Sequence, residues 1–291
     1  MAWLQLTLEL KKDRAEALES LMEELSALSI TFTDAADESV LEPKPGEMPL
    51  WQNISAAILF AEDTPPETLI DAVAKYFPES SAGAAAEILE DREWLHEWKR
   101  DVSPKQYGNR LWVYPWFSEA VTDPNQVIVE LEPGLAFGTG EHPTTAMCLE
   151  WLDAHDIANK SIMDYGCGSG LLAIAALKLG GRQAACIDID PQAIIAARSN
   201  AERNRVSERM LTCNAETLLR NSYDLVIANI LSGILIDLSS ALTKLVTHEG
   251  LLVLTGILEE QAETVISAYA PQIPLSIILE RDGWVLLAGE K

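Results

Sequence analysis

Leu4, Leu6, Leu8 and Leu10 alternate with Gln5, Thr7 and Glu9, the two-residue period of a half-buried strand. The period then lengthens. Leu18, Leu21, Met22, Leu25 and Leu28 recur at helical spacing, and Asp13 stands where an N-terminal cap belongs. Residues 30–33 predict a second strand. Residues 34–53 are polar and carry Pro43, Pro45 and Pro49, so they read as a loop or irregular hairpin. Residues 54–61 are strand-like. Pro65-Pro66 opens a second helix with Leu69, Ile70, Val73 and Phe77 on one side, and residues 84–89 close the unit as a fourth strand. The order βαββαβ predicts a ferredoxin-like α+β domain over residues 1–90. That fold alone specifies no function.

The next segment, residues 91–105, reads as a linker helix, with Trp94, Leu95 and Trp98 on one side. Over residues 106–291 the pattern changes to alternating strands and helices. Residues 111–115 and 127–131 are strand candidates, and further strands begin near Ser161, Ala185, Met210, Tyr223 and Gly250. Such alternation predicts an α/β domain with a doubly wound, mostly parallel sheet. The closing runs, 274–281 and 284–289, are joined by Asp282-Gly283, so they pair antiparallel. Seven strands in this arrangement make a doubly wound, Rossmann-like core.

One stretch concentrates the chemistry. Met163-Asp164-Tyr165-Gly166-Cys167-Gly168-Ser169-Gly170 runs from a strand through a three-glycine turn into a Leu/Ala-rich helix, and Asp188 follows Gly170 by 18 residues at the end of the next strand. An acid there accepts hydrogen bonds from ribose hydroxyls. A dinucleotide fold expects Gly-x-Gly-x-x-Gly with a pyrophosphate on the helix N-terminus. Here the third glycine comes one residue early, and Asp164 precedes the turn. A carboxylate repels a pyrophosphate but accepts a hydrogen bond from an ammonium group. The pattern therefore favours S-adenosylmethionine over NAD, with Asp164, Gly166, Gly168 and Asp188 as cofactor contacts. Asp190-Pro191 reads as the cap and first residue of the following helix.

Composition narrows the setting. The chain has 291 residues, 48% of them hydrophobic, and no apolar run near the roughly 20 residues a membrane span needs. No basic segment followed by an apolar core marks a secretory signal, so the expected location is cytoplasmic. Cys148, Cys167, Cys186 and Cys213 form no C-x-x-C pair, so no metal site is expected. The net charge of −24 repels nucleic-acid phosphate and attracts basic proteins. Residues 1–90 hold 18 acidic and 5 basic side chains, against 27 and 16 in the other 201 residues, so the denser acidic field is N-terminal.

A second motif precedes the glycine turn. Glu132-Pro133-Gly134-Leu135-Ala136-Phe137-Gly138-Thr139-Gly140-Glu141-His142-Pro143-Thr144-Thr145 is a loop entering a helix near Thr144. Phe137 offers an aromatic face to a sulfonium. Thr145, in a helix's first turn, offers a hydroxyl and a free N–H. This loop, the glycine turn, Ile187-Asp188-Ile189-Asp190 and Ala228-Asn229-Ile230-Leu231 together resemble the family of methyltransferases acting on ribosomal protein L-eleven (L11), and the resemblance spans nearly the whole chain.

That resemblance implies N-methylation of lysine ε-amino groups and of the N-terminal α-amino group of L11, free or on the ribosome. It implies a substrate-holding N-terminal domain and a linker that lets the catalytic domain reach several sites. Carried over by position, Thr145, Gly166, Asp188 and Asn229 contact the cofactor, and Phe137 and Thr139 belong to a loop closing over it. The chain departs from many amino-group methyltransferases, which carry Asn-Pro-Pro-aromatic where this one has Asn229-Ile230-Leu231. The rigid prolines and the aromatic are missing, so Asn229 is expected as a cofactor contact rather than as an amine-positioning residue. No catalytic base is identified, and His142 reads as structural. The competing expectations are a non-catalytic S-adenosylmethionine sensor or scaffold, and a methyltransferase acting on another basic protein.

Overall fold

The computed structural model describes residues 2–36, 50–89, 103–118, 123–131, 142–212 and 221–291. The expected linker helix with Trp94, Leu95 and Trp98, the loop residues Phe137 and Thr139, and Cys213 lie outside the described residues. The chain divides into two compact units, Met1–Asp101 and Val102–Lys291.

In the first unit β1 (Trp3–Lys11), β2 (Ser29–Asp34), β3 (Asn53–Ala61) and β4 (Ala85–Leu89) form an antiparallel sheet in the order β2-β3-β1-β4. Helix α1 (Ala15–Glu24) follows β1, and α2 (Pro66–Tyr76) follows β3. The alternation in β1 works as expected: Leu4, Leu6, Leu8 and Leu10 are buried beside Ile54, Ile58 and Phe60 and the helix residues Leu18, Met22, Leu69 and Val73. Asp13 does not cap α1. It lies in a 3-10 turn, Lys12–Arg14, and the capping position falls to Arg14 with no side-chain bond. The extra turn moves the helix start past the polar residue that would have capped it.

The second unit opens with a small sheet, β5 (Lys105–Tyr107), β6 (Leu111–Pro115) and β7 (Val127–Leu131), in that order. Strand β5 takes Lys105, the last residue expected in the linker helix. The main sheet has seven strands: β8 (Ser161–Tyr165), β9 (Gln183–Ile187), β10 (Met210–Thr212), β11 (Tyr223–Asn229), β12 (Val246–Leu258), β13 (Ser276–Arg281) and β14 (Trp284–Glu290), in the order β10-β9-β8-β11-β12-β14-β13. Strands β8 to β12 are parallel, and β14 pairs antiparallel with both β12 and β13. The antiparallel strand is thus inserted one place in from the edge, because the tight Asp282-Gly283 turn leaves β13 outermost.

Alternate residues on these strands pack in opposite directions. Ile162, Cys186, Leu225 and Ile227 join α3 (Pro143–Ala154), α4 (Leu171–Lys178) and α5 (Pro191–Arg203) on one face. Met163, Ala185, Val226 and Ala228 join α6 (Ser232–Asp237), α7 (Ser239–Leu245) and α8 (Ala262–Tyr269) on the other. A strand period of two thus sorts a near-continuous apolar run into two helix layers. The sheet order reverses at β8, between β9 and β11. Ligands of such sheets bind outside the carboxyl ends of the strands at that switch point.

The first unit's core rests on β1. Leu6→Ala, at a fully buried position, should destabilise the protein by about 2–5 kcal/mol, read as a shift in its denaturant midpoint. A change below about 0.5 kcal/mol, the range of ordinary surface substitutions, would show that β1 is not buried by the two helices.

Candidate cofactor site

At the switch point β8 leaves the sheet and turns into α4. Gly166, Gly168 and Gly170 have φ of 75°, 51° and 76°. At Gly166 two needs coincide: the positive φ, and the approach of Ile230, whose Cγ2 would collide with any Cβ there. The turn's backbone donors are consumed by β9. Gly166 and Cys167 N–H both donate to the Ile187 carbonyl (2.9 and 3.0 Å), and Gly168 N–H donates to Asp188 Oδ2 (2.8 Å). Asp188 Oδ1 accepts from Asp190 N–H (2.9 Å). Asp190 caps α5 as expected, its Oδ1 accepting from Gln192 N–H (2.8 Å). From α5, Asn200 Nδ2 donates to the Ser169 carbonyl (3.0 Å), closing the turn from behind.

This bonding decides what the turn can bind. A pyrophosphate seat needs outward-pointing N–H groups. Here three successive donors point at β9, and Ala173 N–H, in the first turn of α4, donates to Asp164 Oδ2 (3.0 Å). Half-buried Asp188 accepts two hydrogen bonds from the described residues, and a carboxylate has about four lone-pair sites, so it retains capacity for ribose hydroxyls. The donor set fits a nucleoside that carries cationic groups and no phosphate.

Asp164 lies deeper than the sequence suggested. It is 1% exposed and sits beneath the turn against α4. Desolvation pushes its pKa up to about 7, opposed by the Ala173 N–H and assisted by the negative charge of Asp188. Its charge acts through the turn, where a cationic ligand favours the ionised form.

Thr145 and Asn229 come together from distant parts of the sequence. Thr145 is buried in the first turn of α3, and Asn229 ends β11; Asn229 Nδ2 donates to Thr145 Oγ1 (3.2 Å). His142 caps α3: its Nδ1 accepts from Thr144 N–H (3.4 Å) and lies 2.7 Å from Thr144 Oγ1, and its ring meets Trp284 edge-on. Burial lowers its pKa. Sequence reasoning missed this Trp284 contact, the Asn200 brace and the approach of Ile230 to Gly166. Each joins residues far apart in the chain, and only Gly256, inside the apolar run of β12, hinted at a special backbone near Ile230. No group of His, Cys, Asp and Glu able to hold a metal ion exists among the described residues, and no helix among them is long and apolar enough to cross a membrane.

A switch-point turn whose Gly166, Cys167 and Gly168 N–H groups are already engaged, with an acid at the end of β9 and an asparagine at the end of β11, on a mixed seven-stranded sheet, fits an S-adenosylmethionine-dependent methyltransferase, the class to which the chain belongs. Residues 2–291 match the family described as ribosomal protein L11 methyltransferase (PrmA). Proteins of that name from Actinobacillus pleuropneumoniae serotype 5b and Mannheimia succiniciproducens are each 45% identical over 293 residues, covering all of this chain and 100% and 99% of theirs. A crystal structure of ribosomal protein L11 methylase from Lactobacillus delbrueckii subsp. bulgaricus is 30% identical, with a TM-score of 0.59, covering 65% of this chain and 98% of that one. The chain belongs to the ribosomal protein L11 methyltransferase family.

Two substitutions test this site. Asp188→Ala should weaken S-adenosylmethionine binding by about 1.5–3 kcal/mol, the worth of hydrogen bonds to a charged group, measured by calorimetry. Unchanged affinity would remove Asp188 from the site. For Asp164 the folded pKa lies above the unfolded one, so the folded state holds a proton that the unfolded state has released. Its contribution to stability is complete below about pH 4 and is lost as pH rises to about 7, by up to roughly 1.4 kcal/mol per pH unit. Asp164→Asn should flatten that part of the stability profile. An unaltered profile in denaturant titrations from pH 4 to 8 would show that the carboxyl is not desolvated.

Proposed function

We propose that this chain methylates ribosomal protein L11, on lysine ε-amino groups and the N-terminal α-amino group, and that it acts in the cytoplasm on free or ribosome-bound L11. The observation that carries this reading is 45% identity to proteins named for that activity across the full length of both chains. A donor of a positively charged nucleoside type fits the turn, as argued above, and the cofactor when bound supplies an electrophilic methyl group on sulfonium. In this reading Gly166, Gly168 and Asp188 hold the nucleoside part, with Asp164 favouring its cationic end, and Thr145 and Asn229 are further cofactor contacts beside the transfer site. Phe137 and Thr139, in the loop before α3, cover it.

The protein's task at the acceptor is alignment. A lysine of ordinary pKa near 10.4 costs about 4–5 kcal/mol to neutralise at pH 7. Desolvation on an apolar wall lowers that cost, and orientation supplies most of the remaining acceleration. His142 is not the base in this reading, because its Nδ1 is committed to capping α3. The proton leaves to water before the amine is enclosed. The first unit, read as a ferredoxin-like domain over residues 1–90 from its strand order and its βαββαβ succession, holds the substrate, and residues 91–105 act as a linker to the catalytic domain, 106–291. Its acid-rich composition favours a basic protein and disfavours nucleic acid.

Incubation with methyl-labelled S-adenosylmethionine and unmethylated L11 tests the proposal. Label should appear on L11, at lysines and at the N-terminus by mass mapping. Tight cofactor binding with no label on L11 would overturn the substrate and leave a sensor, a scaffold or an enzyme for another basic protein.

A further inference from the structure

The chain lacks the prolines that stiffen the segment after the equivalent asparagine in many amino-group methyltransferases, yet Asn229 must be held still if it flanks the transfer site. Strand β12 runs parallel to β11 with Asn229 beside Thr255. On its other side β12 carries one extra residue: Leu254 pairs with Leu287 and Ile257 with Val285, a bulge at Thr255-Gly256. Thr255 is fully buried, and its Oγ1 donates to the Val285 carbonyl (2.8 Å), which fixes the bulge. Gly256 has φ of 83° and lies against the Ile230 backbone. A Cβ on Gly256 would collide with the Ile230 carbonyl oxygen, and it would lie 2.8 Å from the carbonyl carbon and 3.1 Å from the nitrogen. From the opposite direction, Ile230 Cγ2 occupies the space above Gly166. Ile230 is therefore gripped between a glycine of the cofactor turn and a glycine of a neighbouring strand.

We infer that Gly256 is a positioning residue for methyl transfer: the bulge it forms in β12 clamps the Ile230 backbone against the Gly166 turn and so holds Asn229 in register with the cofactor. The inference rests on the methyltransferase reading of this site. The clamp replaces proline stiffness with packing. A rigid pyrrolidine limits φ from within the chain, whereas two glycines admit close neighbours that limit the same segment from outside. It also explains why the β11 end is held twice, by the Asn229–Thr145 bond and by the Ile230 contacts. Gly256 touches no substrate in this account. It acts through Ile230.

The test uses full-length Gly256→Ala, with cofactor affinity measured by calorimetry and the methyl-transfer step by single turnover on L11 at saturating S-adenosylmethionine. Cofactor affinity should change by less than about threefold, while the transfer rate falls by about a hundredfold, the order of effect of a misplacement near 1 Å. A merely structural role would lower melting temperature and leave the rate of the folded protein alone. Ile230 supplies the second measurement should Gly256→Ala fail to fold. Ile230→Leu removes the branch that meets Gly166, while Ile230→Val keeps it, so the rate loss should be larger for Leu than for Val despite Leu's closer volume. A wild-type transfer rate in Gly256→Ala, a rate loss matched by an equal loss of cofactor affinity, or a Val variant as slow as the Leu variant would each overturn the inference. Failure of the wild-type protein to label L11 in the same assay counts instead against the substrate reading, since the variants can then be compared on whichever amine the wild type does label.

Discussion

Where β8 leaves the sheet, three successive backbone N–H groups lose their ladder partners, and the end of β9 takes all of them. Buried donors without partners are costly, so this pairing is a requirement of folding before it is a feature of binding. It has functional consequences that no single residue carries. The Ile187 carbonyl and the Asp188 carboxylate fix the path of the glycine turn. The same bonds preset the Asp188 side chain, which need not be ordered when a ligand arrives. They also engage three turn donors that a phosphate could otherwise use, which agrees with a phosphate-free cofactor. A dehydrogenase would need those N–H groups turned the other way.

The buried charge of Asp164 follows from the same construction. Its carboxyl satisfies the start of α4, as a cap would, but from the preceding strand. An N-terminal helix dipole favours a nearby negative charge, and desolvation opposes it. Desolvation raises its pKa, the Ala173 N–H lowers it and the Asp188 charge raises it again, which leaves it at about 7. A ligand cation above the turn then needs to shift the ionisation only modestly to gain a full charge beneath it. The fold thus holds a negative charge in reserve at a place where a permanent one would destabilise the protein.

Most of this was readable from the chain because it is local. Strand and helix periods marked the strands of the four-stranded and seven-stranded sheets, though not the separate small sheet β5-β6-β7; Gly166-x-Gly168-x-Gly170 with Asp188 marked the turn and its acid, which lie within about one βαβ unit of 30 or more residues. The failures share a cause as well. Asp13 had the composition of a cap but was displaced by a 3-10 turn, a change of one helical turn that composition does not specify. Asp164 was read as facing the ligand because the strand parity that buries it was not followed through the turn. The clamp on Ile230 and the Trp284 contact with His142 needed the sheet order, in which β14 lies between β12 and β13, and tertiary pairing of that kind is invisible to periodicity.

In the proposed reading, in which the acceptor is an amine, the two sides of the switch point differ in a way that suits the transfer. Carboxylates near an acceptor amine stabilise its ammonium form, which has no lone pair to donate, so an acidic turn works against the transfer it supports. The sequence separates the two demands. Both acids, Asp164 and Asp188, belong to the β8 and β9 side; one is buried under the turn, and the other is engaged by two backbone N–H groups. On the β11 side the residues after Asn229 are Ile230, Leu231, Ser232, Gly233 and Ile234, with no charge among them, and Leu231 and Ile234 are 40% and 46% exposed. An apolar surface there disfavours an ammonium and favours the neutral amine. The segment after Asn229, which carries no prolines, therefore presents an uncharged wall, and the rigidity proposed for it comes from the glycines packed against Ile230.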